Sequence, residues 1–360
     1  MRIGIFSKLG SSGGSEHRAA AMANGISRYT NHACCILCEK QFNKKIRKLI
    51  DPQVEIIENI FQGINPTPQK IYEVDSLLII NTDSYSFPRR CYWEGQRCWK
   101  HKEPRHTFFI DLSKIPQMVF LFNYVIKPSC RLYTIYEHCP DLRIICANRD
   151  YYNDIETKEK YNKIRNIPKF ILESPIDPAT ISKTKNFSSR IRIGKHSKPW
   201  GYKFDKENIK LVRKINEKYK DQIVWDFMGV PSTYAQILEQ FDNVIIRKEY
   251  SISVKDYLKN IDIFLFFIKW RRREPWARVV AEGMMSGCPI LATNKGGNQD
   301  QVRHNKNGFL CNSLKDFEEK LSYLINNKEK IKEFGEKSIE YSNNFTTEKV
   351  IKRYIDFIKS

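Results

Sequence analysis

Residues 266–293 read FFIKWRRREPWARVVAEGMMSGCPILAT. An apolar run ends at Trp270, and three arginines follow, Arg271, Arg272 and Arg273. A short amphipathic segment then runs from Pro275, Gly287 closes it, and a second apolar run begins at Cys288. Two such runs bracketing an amphipathic stretch predict buried strands joined by a helix, the repeating unit of a parallel sheet. Pro275 suits the first helical turn, where its missing N–H costs nothing, and Gly287 suits the position just past the helix end. This reading sets Glu274 at or next to the N-cap. Glu282 follows two turns on, roughly 12 Å away at ~1.5 Å per residue. Free amides near Trp276, Ala277 and Arg278 form an anion site. A carboxylate that accepts two hydrogen bonds at once suits vicinal hydroxyls. A core helix with an acid favoured by its dipole has the same pattern.

Outward from this stretch the alternation continues. At the N-terminus RIGIF, a Gly/Ser loop, HRAAAMANGISRYT and ACCILC form another strand–helix–strand unit. VEII, SLLIIN, MVFLFN and RIICAN continue the series. Prolines 168, 175 and 178 and a polar run then give residues 167–190 the composition of a linker, with the junction of two domains near residues 172–185. A second series contains RIRIGKHSK, IVWDFMG, NVIIRK, IDIFLFFI, CPILAT and NGFLC, with helical segments between and after. The expected fold class is therefore α/β with two doubly wound Rossmann-like domains facing each other across a cleft. Residues 1–175 form the first domain and 176–345 the second. Residues 346–360 form a C-terminal helix that packs back on the first. Ligands of open α/β sheets bind outside the carboxyl ends of the strands.

Bulk properties narrow the class. A chain of 360 residues with 41% apolar content supports two packed cores. A net charge of +20 favours acidic partners such as nucleotide phosphates, nucleic acid or an anionic membrane surface. Ten cysteines are too few for a disulfide scaffold. No apolar run reaches the ~18 residues of a membrane span, and the N-terminus has no signal-peptide core. A soluble cytoplasmic protein is expected, with peripheral contact at the inner membrane face as an option.

The spacing of Glu274 and Glu282, followed by GMMSGCPILATNKGGNQDQVRHNKNGFLC, resembles the E-x7-E region of glycosyltransferase family 4. These are retaining, nucleotide-sugar-dependent enzymes of the GT-B fold. The stretches EPWA and EGMMSGCP stand for the family's Glu-x-Phe-Gly and Glu-Ala-Met-Ala-x-Gly-x-Pro, with Trp276 in place of Phe and Ala277 in place of Gly. Gly296 and Gly297 fit the Gly-Gly stretch that follows, and Asp300 stands where Glu is common. The resemblance covers about 40 residues closely and extends loosely over both domains.

It implies that residues 1–175 form the acceptor-side domain and 176–345 the nucleotide-sugar-binding domain, and it gives roles to other positions. Lys195 and Lys198, with Lys203 as a third candidate, correspond to cations that grip the donor diphosphate. Gly13 and Gly14 correspond to a loop approaching the donor, and Trp276, Ala277 and Arg278 to the phosphate-facing helix start. Glu274 would orient the transferred sugar and Glu282 the ribose, so the catalytic set is Glu274, Lys195 and Lys198. Asn123 stands where many members carry a histidine near the sugar. Together with Tyr85, Arg89 and Arg90, from a long aromatic and basic connection, it forms the expected acceptor side. No cofactor is required beyond a nucleotide diphosphate sugar as co-substrate, and no metal. Cys91, Cys98, His101 and His106 match no common zinc spacing, and Cys35 and Cys38 read as packed thiols.

The implied activity is hexosyl transfer from a nucleotide diphosphate sugar to a glycan, lipid-linked or polymer acceptor in polysaccharide or cell-envelope biosynthesis. Two alternatives stay open on this evidence. One is a glycosyltransferase of modified DNA bases; the other is an inactive protein that binds a nucleotide sugar or nucleic acid.

Overall fold

A computed structural model describes residues 1–7, 14–38, 41–60, 67–80, 111–122, 136–182, 184–186 and 188–360. They form two compact units, Met1–Pro175 with Thr347–Ser360, and Ile176–Thr346.

The first unit is a seven-stranded parallel sheet. Its strands are β1 (Arg2–Ser7), β2 (Ala33–Cys38), β3 (Glu55–Ile57), β4 (Ser76–Ile79), β5 (Gln117–Phe122), β6 (Leu142–Cys146) and β7 (Lys169–Ile171), in the order β3-β2-β1-β4-β5-β6-β7. The strands are apolar on both faces because both faces are covered. Ile3 and Ile5 pack with Ala19, Ala23 and Ile26 of the helix Gly14–Tyr29, and Phe6 packs into the opposite layer with Leu77 and Ile79. The C-terminal helix Thr347–Lys359 completes the first layer with Val350, Ile351, Tyr354, Ile355 and Ile358. It comes so close to the first helix that a Cβ on Gly25 would lie 2.5 Å from Ile351 Cγ1. Cys35 and Cys38 fall in opposite layers, so they cannot converge on one metal. β7 was not foreseen; its three half-buried residues follow Pro168 and read as linker, yet they pair with β6 at the sheet edge.

The second unit is a six-stranded parallel sheet. Its strands are β8 (Ile191–His196), β9 (Ile223–Met228), β10 (Val244–Arg247), β11 (Ile263–Phe266), β12 (Ile290–Thr293) and β13 (Gly308–Cys311), in the order β10-β9-β8-β11-β12-β13. The order reverses between β8 and β11. Beyond the carboxyl ends of those two strands lies the crevice where such sheets bind ligands. One layer holds Ile191, Ile193, Phe204, Leu211 and Phe267. The other holds Phe264, Phe266, Val280, Ala281 and Met284. Each unit is thus a Rossmann-like parallel sheet, and the chain has the two such units expected of a GT-B fold.

Candidate functional site

The helix of the opening stretch spans Arg278–Met285, with Ala277 as its N-cap residue. The expected start at Pro275 is therefore three residues too early. The reason is tertiary. Trp276 and Ala277 are buried, and the backbone of 274–277 is tied to the loop after β12. Gly297 N–H donates to the Glu274 carbonyl at 2.9 Å. Gln301 accepts from Ala277 N–H at 3.2 Å through Oε1 and donates to its carbonyl at 2.9 Å through Nε2. These bonds and this burial hold the segment outside the helix. They also occupy the Ala277 amide that the sequence reading assigned to phosphate. The far end is as expected. Gly287, at φ +75°, donates to Met284 O at 2.9 Å, and Cys288 N–H donates to Gly283 O at 3.0 Å, a Schellman ending.

The loop after β12 explains the paired glycines. A Cβ on Gly296, at φ +59°, would sit 2.5 Å from the Glu274 carbonyl oxygen; one on Gly297 would sit 2.4 Å from the Pro275 carbonyl oxygen. The glycines let the loop lie flat against the segment that carries Glu274. Glu274 accepts from Lys203 Nζ at 3.1 Å. The lysine comes from the loop after β8, so the pair bridges the strand ends at the point where the sheet order reverses.

Glu282 sits on the helix Arg278–Met285 and is buried. Its Oε1 accepts from Arg278 Nε at 2.8 Å, one turn earlier, and its Oε2 lies 3.5 Å from His196 Nε2. Burial raises the carboxyl above its usual range, and the Arg278 guanidinium opposes that. His196 ends β8 and is wedged edge-on between the rings of Tyr257, at 5.6 Å, and Phe264, at 5.4 Å. Burial, with Lys203 and Arg278 adding to it, lowers the imidazole to about 3, so it is neutral at physiological pH.

Lys195 requires a correction. Neighbouring residues of a strand point to opposite faces, and Lys195 shares its face with Ile191 and Ile193. Its ammonium donates to the Phe267 carbonyl and to Asn208 Oδ1. It is 1% exposed and lies over the Phe204 ring. Burial lowers it to about 7; Asp205 works against that and Lys203 with it. Lys195 is thus buried between the helix Lys206–Tyr219 and the chain just past β11, its ammonium taken up by protein acceptors. Lys198 and Lys203 stay near the surface, their ammoniums 5.3 Å and 5.5 Å from the Trp200 ring. Arg271, Arg272 and Arg273 form an exposed rim, with Arg272 over Tyr202 at 4.9 Å.

Several candidates lie elsewhere. Gly14 opens the first helix of the other unit, and a Cβ there would meet nothing within 4 Å. Gly13, Tyr85, Arg89, Arg90 and Asn123 lie outside the described residues, as do Cys91, Cys98, His101 and His106. Among the described residues no cluster of three or more His, Cys, Asp or Glu could hold a metal. None of the helices among them is long and apolar enough to cross a membrane. Sequence reasoning missed His196 and Gln301. The alternation of RIRIGKH, which pairs Lys195 with the two isoleucines, was the signal for His196. Gln301 had none, because its partner is 24 residues away.

In the second unit, then, two carboxylates each face a cation, next to exposed basic groups, where the sheet order reverses. Such an arrangement can accept hydrogen bonds from hydroxyls and neutralise a phosphate. Residues 205–341 match the family model described as Glycosyl transferases group 1. Trehalose synthase of Pyrococcus horikoshii is 27% identical over 152 residues, 42% of this chain and 31% of that protein. An uncharacterized glycosyltransferase of Methanocaldococcus jannaschii is 38% identical over 88 residues, 24% of this chain and 25% of that protein. The chain thus spans about a third or less of these relatives' length. Among solved structures, Anabaena HepE in complex with UDP and glucose matches with a TM-score of 0.69 at 14% identity, covering 99% of both chains. A glycosyltransferase from Rickettsia africae matches with a TM-score of 0.73 at 15% identity, covering 99% of this chain and 97% of that one. At these identities the likeness shows the fold.

Proposed function

We propose that the chain is a retaining glycosyltransferase that moves a hexosyl group from a nucleotide diphosphate sugar to a glycan or lipid-linked saccharide acceptor. The observation that carries this reading is the pair of cation-bound carboxylates, Glu274 with Lys203 and Glu282 with Arg278, beside the carboxyl ends of β8 and β11. The group 1 match over residues 205–341 covers Glu274, Arg278 and Glu282.

Lys203 and Lys198 neutralise the diphosphate, aided by the first N–H groups of the helix Arg278–Met285. Glu274 accepts from hydroxyls of the transferred sugar and Glu282 from the ribose diol. Lys203 thereby takes the role that the family resemblance gave to Lys195. In the chemical step the bond between C1 and the phosphate oxygen breaks. The acceptor oxygen bonds to C1 on the face the phosphate leaves, and the acceptor proton passes to a phosphate oxygen. Preorganised cations that meet the growing negative charge supply the electrostatic part of the catalysis. They also supply the neutralisation that a metal ion would otherwise provide.

The test is Glu274→Ala in the full chain, assayed against a panel of nucleotide sugars with mass readout of the products. With the fold retained, transfer is expected to fall on the order of 100-fold or more. Transfer at the normal rate removes Glu274 from the mechanism. Inactivity of the wild type toward every donor, with no nucleoside diphosphate bound, removes the reading as a whole.

A further inference from the structure

His196 presents an anomaly. It is 5% exposed, yet its Nε2 has no hydrogen-bond partner, although buried polar groups nearly always find one. The atom that faces it is Glu282 Oε2 at 3.5 Å, just beyond the range of a good bond. A neutral imidazole facing a carboxylate oxygen carries its proton on that nitrogen. The ring is hemmed in by Tyr257 and Phe264. The carboxylate is therefore the part that turns.

The count of bonding positions on Glu282 gives the anomaly a purpose. A carboxylate has about four lone-pair positions. Arg278 occupies one, on Oε1, and His196 addresses another, on Oε2. About two remain, the number a vicinal diol requires. With only Arg278 in place, rotation about the carboxylate's own axis is set at one oxygen. A second donor on the other oxygen fixes the plane.

We propose that His196 is a positioning residue for donor recognition: its Nε2–H closes onto Glu282 Oε2 and fixes the carboxylate plane so that the remaining lone pairs meet a ribose diol. The inference rests on the reading of Glu282 as the ribose ligand. His196 itself lies too deep to touch the ligand. Its effect is on selectivity for the ribose hydroxyls and not on the chemical step.

The experiment uses the full chain and a matched pair of probes, uridine diphosphate and 2′-deoxyuridine diphosphate, with affinities from calorimetry. The variants are His196→Leu, which keeps the packing and removes the donor, His196→Gln, which keeps an N–H, and Glu282→Gln. The wild type is expected to prefer the ribonucleotide about tenfold or more, as a hydrogen bond to a charged group gives. His196→Leu is expected to lower that preference at least fivefold by weakening the ribonucleotide alone, and His196→Gln to restore most of it. In turnover, His196→Leu raises the donor KM and leaves kcat within about twofold. An unchanged preference in folded His196→Leu overturns the proposal, and so does equal weakening of both probes, which marks a purely structural histidine. If Glu282→Gln keeps the preference, the reading of Glu282 as ribose ligand fails. If uridine diphosphate does not bind, the adenosine and guanosine pairs are run the same way. Failure of all three overturns the function reading and the proposal with it.

Discussion

Replacing Lys195 with methionine separates a buried structural lysine from one that grips phosphate. The side chain ordinarily titrates near 10.5, and burial brings it to about 7. At about 1.4 kcal/mol per pH unit, keeping it charged costs the folded state up to about 5 kcal/mol. Below pH 7 folded and unfolded chains are both protonated, and that cost is present in full. Between pH 7 and 10.5 the unfolded chain binds the proton and the folded chain does not, so wild-type stability rises with pH. Above 10.5 both are neutral and the cost is gone. Methionine removes the titration but also the donor to Phe267 O and Asn208 Oδ1, a loss of about 1–3 kcal/mol. Lys195→Met should therefore be more stable than wild type at pH 6, by up to about 2–4 kcal/mol, and less stable near pH 10.5, by about 1–3 kcal/mol. Urea unfolding of both proteins at pH 6, 8 and 10 reads the difference; residues that titrate alike in both cancel. Tryptophan fluorescence is the suitable signal, because Trp200, Trp225, Trp270 and Trp276 all lie in the unit that holds Lys195. A pH-independent difference refutes the burial argument. So does a folded Lys195→Met that has lost nucleoside diphosphate affinity, since that would put the ammonium on the phosphate.

Two further substitutions test how the site is seated. Gly297 has an ordinary φ of −61°, so its requirement is for space alone; Gly297→Ala should cost about 2–3 kcal/mol in urea unfolding and reduce transfer at least about tenfold, because the atom displaced belongs to the segment carrying Glu274. Gln301→Leu leaves the buried Ala277 N–H without its partner and should cost about 1–3 kcal/mol in the same measurement; a variant as stable as wild type would show that another group holds the helix start.

The layering of both units was readable from strand patterns because alternation is local. Successive side chains point to opposite faces, and continuous apolar runs require cover on both. The same rule, applied through to the end of β8, places Lys195 with Ile191 and Ile193 and His196 with the layer beneath the helix Arg278–Met285. The resemblance to a family motif assigned Lys195 by its position in the chain, which carries no information about the face. β7 was hidden for a different reason. Its three residues are half-buried and follow a proline, so neither length nor pattern separates an edge strand from a linker.

The helix start shows where local reasoning reaches its end. Pro275 and Glu274 carry a good N-terminal signature, and the eight-residue gap to Glu282 then reads as a helical ruler. That ruler does not exist. Three residues of the gap, Pro275 to Ala277, are held outside the helix by Gly297 N–H and the Gln301 side chain, partners some twenty residues further on. The paired glycines and the first glutamate, separate motifs in the sequence, are one object in the fold, because Gly296 and Gly297 are the floor on which the Glu274 backbone rests. The second glutamate belongs to a different object, a helix face shared with Arg278 and met by His196. Glu274 is thus anchored to the loop after β12, and Glu282 to the helix and the end of β8. Changes in either support should move one carboxylate without the other.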